Sequence, residues 1–73
     1  MRRRYAMVAE YHEYLAYSPT LIRETFTHEA DNVRQAINDV QDYIMKNRNV
    51  VSIYDEKNKD RDIVITNIYS EEV

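Results

Sequence analysis

The chain contains no glycine in 73 residues, although a chain of this length usually carries about five. Glycine adopts positive φ angles and allows a ligand to approach the backbone closely. Phosphate-binding loops depend on both properties, so neither the dinucleotide fingerprint nor the P-loop can be built from this sequence. The absence of glycine therefore excludes the two commonest nucleotide-binding motifs.

The chain also lacks cysteine, which excludes disulfides, cysteine-ligated zinc, iron–sulfur clusters and thiol catalysis. There is no apolar run of about 18 residues, so we expect no membrane span. These features predict a cytoplasmic protein with a single small domain over residues 1–73. A domain of this size buries only about 60% of its unfolded surface, and we therefore expect a homodimer to supply further burial.

The charges are unevenly distributed along the chain, which has a net charge of −3. Residues 1–4 contain three arginines, whereas residues 5–45 contain seven acidic residues against two arginines. We interpret residues 1–4 as a basic N-terminal arm that precedes an acidic body. An asymmetry of this kind affects the choice of partner and leaves the fold undetermined.

The clearest secondary-structure signal is an amphipathic helix from about Asn32 to Lys46. Asp31 is the predicted N-cap, since its carboxylate can accept a backbone N–H of the first turn. Apolar residues recur at the helical period on one face. These residues are Val33, Ala36, Ile37, Val40 and Ile44.

The C-terminal third has the composition of a β-hairpin. Asn49 to Tyr54 and Asp62 to Tyr69 are rich in Val, Ile and Tyr, which favour strands. The residues between them, 55–61, are all polar. Without glycine a tight type I′ turn is disfavoured there, so we expect a longer loop. Residues 70–73 are expected to fray.

The first thirty residues fit two interpretations. Residues 5–16 follow a helical period, but four tyrosines between residues 5 and 17 favour a strand. Leu21 to Ala30 has strand composition, and Ser18-Pro19 is a turn signal. A hairpin centred on Ser18 would place Glu13 opposite Arg23.

The same hairpin would place Leu15 opposite Leu21, and Tyr14 opposite Ile22, which are favourable cross-strand pairs. We therefore predict an α+β fold in which a single helix packs on an antiparallel sheet in the order ββαββ. The order αβαββ is the alternative, and both belong to the same class.

No catalytic constellation is evident in the sequence. His12 and His28 have acidic neighbours, but a metal site needs several ligands that converge, and we interpret both as ordinary surface or half-buried histidines. The serines have no histidine next to them in sequence, and no nucleophile elbow is present. We expect a protein that is not an enzyme and that uses no metal or cofactor.

Tyrosine is the most enriched residue type, with seven copies against one phenylalanine and no tryptophan. Tyrosine is favoured at protein interfaces because it adds contact area at low entropic cost. Interleaved with acidic residues, exposed tyrosines would suit a basic partner, and outward carboxylates can imitate the phosphates of DNA. The predicted partner-binding residues are Glu10, Tyr11, Glu13, Tyr14, Tyr17, Asp39 and Asp42.

The leading hypothesis is a non-catalytic interaction module, a small regulator or inhibitor of the kind common in phages and mobile elements. Its acidic, tyrosine-bearing surface would occupy a basic surface of a partner protein, and in the concrete version of this hypothesis that surface is one that binds nucleic acid. The alternative is direct DNA or RNA binding by the N-terminal arm and the aromatic residues of the sheet. The residues of that alternative are Arg2, Arg3, Arg4 and Tyr5.

Overall fold

The structure is a computed structural model that describes residues 2–52 and 62–72 of the chain. The described residues form one helix and a three-stranded antiparallel sheet in the order β2-β1-β3, so the α+β class is confirmed. Four of the five predicted elements are found as regular elements. Their bounds are β1 Arg3–Leu15, β2 Ser18–Ala30, α1 Val33–Asn47 and β3 Val64–Glu72.

The first element is a strand, so the αβαββ alternative is wrong. Residues 5, 7, 9 and 11 of β1 are buried, and the residues between them are only partly buried. This period of two is that of a strand with one covered face. The helical period in the same residues arose because small and apolar side chains occur on both faces of a central strand.

The hairpin turn lies at Ala16–Tyr17 and not at the predicted Ser18–Pro19. Leu15 pairs directly with Ser18, and the two loop residues have φ angles of 49° and 69°. Positive φ at both central positions matches a type I′ turn, here made without glycine. Pro19 lies within β2, where an edge strand tolerates proline.

The position of the turn changes the strand register, so the predicted cross-strand pairs are wrong. Arg23 lies opposite Glu10 rather than Glu13, and Ile22 lies opposite Tyr11 rather than Tyr14. The observed register differs from the predicted one by three residues, which is an odd number. Every side chain of one strand therefore faces the other side of the sheet from the predicted one.

The predicted helix is confirmed, with its N-cap one residue later than expected. Asn32 has extended backbone angles, and its Oδ1 accepts the backbone N–H of Gln35 at 2.8 Å. The Gln35 side chain in turn accepts the backbone N–H of Asp31 at 2.7 Å. Asp31 therefore does not cap α1; it precedes a cap that Asn32 and Gln35 form together.

The core lies between α1 and one face of the sheet. The central strand supplies its largest side chains, Tyr11 and Met7, and α1 contributes the middle of the predicted apolar stripe. The buried core residues are Tyr5, Met7, Ala9, Tyr11, Ala30, Ala36, Val40, Ile44, Val50 and Ile63.

The C-terminal part differs from the predicted hairpin. The expected strand from Asn49 to Tyr54 is represented among the described residues only by an isolated bridge between Val50 and Glu13. The predicted loop over residues 55–61 lies outside the described residues. β3 pairs with the first half of β1, with a register shift near Asn67, whose φ is 52°.

The two chain ends that were expected to be loose are paired with each other. Arg3 and Arg4 lie in β1, opposite Glu72 and Glu71 of β3. Arg3 and Arg4 of the predicted arm and residues 70–72 of the predicted frayed tail are thus parts of the sheet, and the antiparallel pairing brings Arg4 beside Glu71. No helix in the described ranges is long and apolar enough to cross a membrane.

Candidate functional site

The sheet face opposite α1 is uncovered among the described residues, and we call it the open face. Since the odd-numbered side chains of β1 enter the core, the even-numbered ones point to the open face. The register places Leu21 of β2, and Val64 and Tyr69 of β3, on the same side. The open face is thus built from all three strands.

Large apolar side chains lie on the open face without cover. Tyr69 is 76% exposed, Leu21 57%, Val64 51% and Tyr14 48%. Val8 lies between them on the central strand and is half-buried. Exposed apolar side chains gathered on one surface and bordered by polar residues are typical of a protein interface.

The charged side chains of the open face are paired across strands. Arg4 contacts Glu71 at 3.1 Å and Glu29 at 4.0 Å, and Arg23 contacts Glu10 at 3.3 Å. A depression of about 430 Å³ lies beside the first of these pairs. It is lined by Arg4, Ala6, Thr27, Tyr69, Ser70 and Glu71. The open face therefore combines exposed apolar side chains with charges that are locally balanced.

The predicted acidic, tyrosine-bearing residues lie in four separate places. Glu10 and Tyr14 are on the open face. Tyr11 is buried in the core, and Tyr17 is 93% exposed at the hairpin turn. Glu13 is near that turn, where its Oε2 accepts the backbone N–H of Asn49 at 3.0 Å.

The other two predicted acids, Asp39 and Asp42, are exposed on α1, away from the open face. The same helix carries Arg34 and Lys46, so its acidic charges are matched in number by basic ones. The fold does not gather the seven predicted residues into one surface. The partner-binding role of each remains a prediction.

A second concavity of about 560 Å³ runs between the outer edge of β2 and α1. We call it the edge groove. Its apolar wall includes Phe26 and Tyr43, whose rings meet edge to face with centroids 5.8 Å apart. The lining residues are Glu24, Thr25, Phe26, Thr27, His28, Asp39, Val40, Tyr43 and Arg48.

One end of the edge groove holds a hydrogen-bonded cluster of three side chains. The Tyr11 hydroxyl donates to Glu24 at 2.9 Å, and the Arg48 guanidinium donates to both oxygens of Glu24, at 2.8 and 3.3 Å. The Arg48 guanidinium also lies 5.4 Å from the centre of the Tyr43 ring.

These contacts shift the pKa values of the cluster. The hydrogen bonds from Arg48 hold the pKa of Glu24 below its ordinary value, and burial together with the bond to Glu24 raises the pKa of Tyr11 to about 12. The pKa of Arg48 is raised by its hydrogen bonds to Glu24. Both oxygens of Glu24 and the Tyr11 hydroxyl are engaged within the cluster, so we assign it a structural role.

The other end of the edge groove holds a second polar pair. His28 Nε2 lies 2.9 Å from Asp39 Oδ2, which ties β2 to α1. Both side chains are about 40% exposed. No group of three or more His, Cys, Asp or Glu among the described residues could hold a metal ion. The pair therefore joins a strand to a helix and lies far from any second pair of acids that would complete a ligand set.

The residues of the nucleic-acid alternative are engaged within the fold. Tyr5 is 5% exposed, so its ring is not presented to a base. Arg2 donates to the Glu29 carbonyl at 3.0 Å and lies 4.0 Å from Asp31. Arg4 bridges acids on both neighbouring strands, and binding phosphate through it would compete with those contacts.

The open-face residues Leu21, Val64 and Tyr69 were not among the predicted site residues. The signal that could have found them is the period-two alternation of β1 combined with the correct hairpin register. No family model, curated protein or solved structure matches the chain. The assignment of function therefore rests on the geometry of the chain itself.

Proposed function

We propose that this chain is a non-catalytic protein–protein interaction module that binds a partner protein through its open face. The observation that carries this proposal is the set of large side chains on that face that no other part of the described chain covers. Tyr69, Leu21 and Val64 come from the two outer strands, and each is more than half exposed. Burying them against a partner would be favourable.

The chemistry of the open face indicates the kind of partner. Its ion pairs are already formed within the sheet, so a highly charged polymer gains little new Coulomb energy from it. An apolar protein surface with a polar rim matches it better, because tyrosine is enriched among the residues that carry most of the binding energy at interfaces and burial of the aliphatic side chains adds to it. The proposed role is that of a small regulator that occupies such a surface.

This version differs from the acidic-surface hypothesis in the force that holds the partner. The acidic version requires unpaired carboxylates, whereas Glu10 lies 3.3 Å from Arg23 and Asp39 lies within hydrogen-bond distance of His28 at 2.9 Å. The apolar version predicts binding that survives high salt. A chain without cysteine suits the reducing cytoplasm, and we propose that compartment for the interaction.

The test compares two identical substitutions at exposed tyrosines. Tyr69→Ser removes the most exposed ring of the open face, and Tyr17→Ser removes the ring at the hairpin turn, a residue of the acidic-surface hypothesis. The immobilised chain is used to capture a partner from cell extract at low and at high salt. We expect capture at both salt concentrations, retained by Tyr17→Ser and weakened about tenfold or more by Tyr69→Ser.

Two results would contradict the proposal. Capture that Tyr69→Ser leaves unchanged would show that the open face is not the interface. Capture that disappears at high salt and depends on Tyr17 would favour the acidic surface. Circular dichroism of both variants controls for folding, since neither ring contributes to the buried core.

A further inference from the structure

The outer edge of β2 has no neighbouring strand among the described residues. β2 is 13 residues long and lies at one end of the β2-β1-β3 order. β3 is also an edge strand, but it is shorter and its register shifts near Asn67, which interrupts regular pairing. A long and regular edge strand is a template for a further strand.

The backbone groups that β2 presents at this edge follow from the bonds of β1. The Val51 N–H donates to the His12 carbonyl at 2.9 Å, and the Tyr14 N–H donates to the Asn49 carbonyl. The backbone N–H and C=O groups of even-numbered residues of β1 therefore point away from β2, within the plane of the sheet. The odd-numbered residues of β1 bond instead to their even-numbered partners in β2. The odd-numbered residues of β2 therefore point their N–H and C=O groups outward.

The position of the proline in β2 is consistent with this assignment of the outward backbone groups. Pro19, which has no N–H, occupies one of the outward positions of β2, where no bond to β1 is lost. The other outward positions that can pair are Leu21, Arg23, Thr25, Thr27 and Glu29. All five are exposed. Arg2 already donates to the Glu29 carbonyl at 3.0 Å, and none of the other outward backbone groups is paired with a strand among the described residues. The row accepts an antiparallel strand only when odd-numbered residues of β2 lie opposite odd-numbered residues of that strand.

Among the allowed registers with a second copy of β2, one is strongly complementary. With Phe26 on the two-fold axis, Arg23 lies opposite Glu29 of the second copy, and Thr25 lies opposite Thr27. On the other face Glu24 lies opposite His28, and the two Phe26 rings meet. The Arg23–Glu29, Thr25–Thr27 and Phe26–Phe26 pairs favour strand association, and symmetry doubles the first two, whereas Glu24 and His28 keep Arg48 and Asp39 as their partners within each copy.

The neighbouring registers lack this complementarity. Moving the axis to Thr25 places Leu21 opposite Glu29 and leaves Arg23 opposite a threonine. Moving it to Glu24 brings two glutamates face to face, which is repulsive. The sequence of β2 thus selects a single self-pairing register.

The selected register also extends the ion pairs of the open face into one row. Within a protomer, Arg23 pairs with Glu10, and Arg4 lies between Glu29 and Glu71. Placing Arg23 beside Glu29 of the second copy joins these sets. The joined row of side chains alternates between negative and positive charge across both sheets. It starts with Glu10 and Arg23 of the first copy and continues with Glu29, Arg4 and Glu71 of the second copy.

We propose that two copies of this chain associate through β2, antiparallel and with Phe26 on the dyad, so that the two sheets become one of six strands. The edge groove lies at this junction, and the second Phe26 ring packs there beside the existing contact between Phe26 and Tyr43. The proposal uses the edge of the sheet and is independent of the partner bound by the open face.

The first test blocks the edge without altering the hairpin. Thr25→Pro removes one outward N–H, as Pro19 does in the same strand, and Thr25→Ala is the matched control that keeps it. Analytical ultracentrifugation of the full chain should give a dimer for the wild type and for Thr25→Ala. Thr25→Pro should sediment as a folded monomer, with its fold checked by circular dichroism.

The second test uses charge reversal and remains informative if the proline variant fails to fold. Arg23→Glu places two glutamates opposite each other at two symmetric positions and should weaken the dimer about tenfold. Adding Glu29→Arg restores opposite charges between positions 23 and 29 of the two copies. Within each copy, position 23 still repels Glu10 and position 29 still repels Arg4. Recovery of the dimer in the double variant therefore reports the proposed register.

Several outcomes would overturn this proposal. They are a wild-type chain that is monomeric at all soluble concentrations, a dimer that persists in folded Thr25→Pro, and a double variant that dimerises no better than Arg23→Glu. A dimer abolished by Tyr69→Ser but not by the β2 variants would place the contact on the open face. Binding of an unrelated peptide to the β2 edge of a monomeric chain would assign the edge to a foreign strand.

Discussion

At the scale of single residues, the cluster of Tyr11, Glu24 and Arg48 explains how a charged group is tolerated beside the core. Glu24 occupies a position on the helix-facing side of β2, where an unpaired carboxylate would be costly. Three hydrogen bonds from two donors satisfy its oxygens. No buried side-chain polar atom among the described residues lacks a hydrogen-bond partner.

Glu24 should make the stability depend on acid pH. Because the pKa of Glu24 is lowered from its ordinary 4.5 in the folded state, ionised Glu24 stabilises the fold above that pH. The contribution is lost as the pH falls through the lowered pKa. Urea denaturation of the wild type and Glu24→Gln should converge in stability at low pH and diverge near neutrality. Equal differences at both pH values would contradict this.

Tyr11 should make the stability depend on alkaline pH, and its contribution is lost as the pH rises, whereas that of Glu24 is lost as the pH falls. Its pKa rises from 10.0 to about 12 on folding, so the neutral hydroxyl stabilises the fold below pH 10 and this contribution is lost as the pH rises towards 12. Tyr11→Phe removes one hydrogen bond and should cost about 1 kcal/mol at neutral pH. The difference from wild type in chemical denaturation should shrink at alkaline pH. A difference that stays the same at neutral and at alkaline pH would contradict this.

At the scale of elements, the hairpin turn shows that the absence of glycine does not exclude a type I′ turn. Ala16 and Tyr17 adopt the left-handed region because the long β1–β2 ladder and the core below it fix the register. The cost of positive φ at these residues is offset by pairing and burial elsewhere. Local sequence preference therefore did not decide the position of the turn.

Replacing Ala16-Tyr17 with Asn-Gly should stabilise the chain by about 1 kcal/mol, because these residues adopt the required angles with less strain. The matched control places Asn-Gly at Ser18-Pro19, where the sequence predicts the turn. That control should give no gain, since those residues lie in β2. Thermal denaturation of the two variants distinguishes the positions. A gain only for the second variant would refute the observed register.

The helix was predictable because its signal is local, whereas the hairpin register was not. The stripe from Ala36 to Ile44 sets the buried face of α1 through a period that depends on neighbouring turns alone. In the hairpin, by contrast, the residues of β2 that share a face with a given residue of β1 depend on the pairing register across the turn. Alternation along β1 by itself puts Tyr11 and Tyr14 on opposite faces of the sheet, whereas the error of three residues in the register misplaced the side chains of β2 relative to those of β1.

At the scale of the whole molecule, the described residues form an elongated body whose long axis measures 43 Å. One helix covers one face of the sheet, and the other face and the β2 edge are left without cover. For a chain of 73 residues this leaves much apolar surface in water. Association through the edge, the open face or both is the physical means by which the fold can gain further burial.

The proposed dimer makes a prediction about the stability of the whole molecule. Because association stabilises only the folded chain, its melting temperature should rise with protein concentration. Thr25→Pro should melt at a temperature independent of concentration, and Thr25→Ala should follow the wild type. Differential scanning calorimetry over a wide concentration range checks this. Concentration-independent melting of the wild type would argue against the dimer.

The sequence by itself determined the α+β class, the helix from about Asn32 to Lys46 and the strand character of Leu21 to Ala30, because each depends on periodicity and propensity over a short stretch. Tertiary structure alone decided the turn at Ala16–Tyr17 and the pairing of the chain ends. It also decided which side chains share the open face. These features depend on contacts between residues far apart in the chain, whose free energy outweighs the local preference of any one turn.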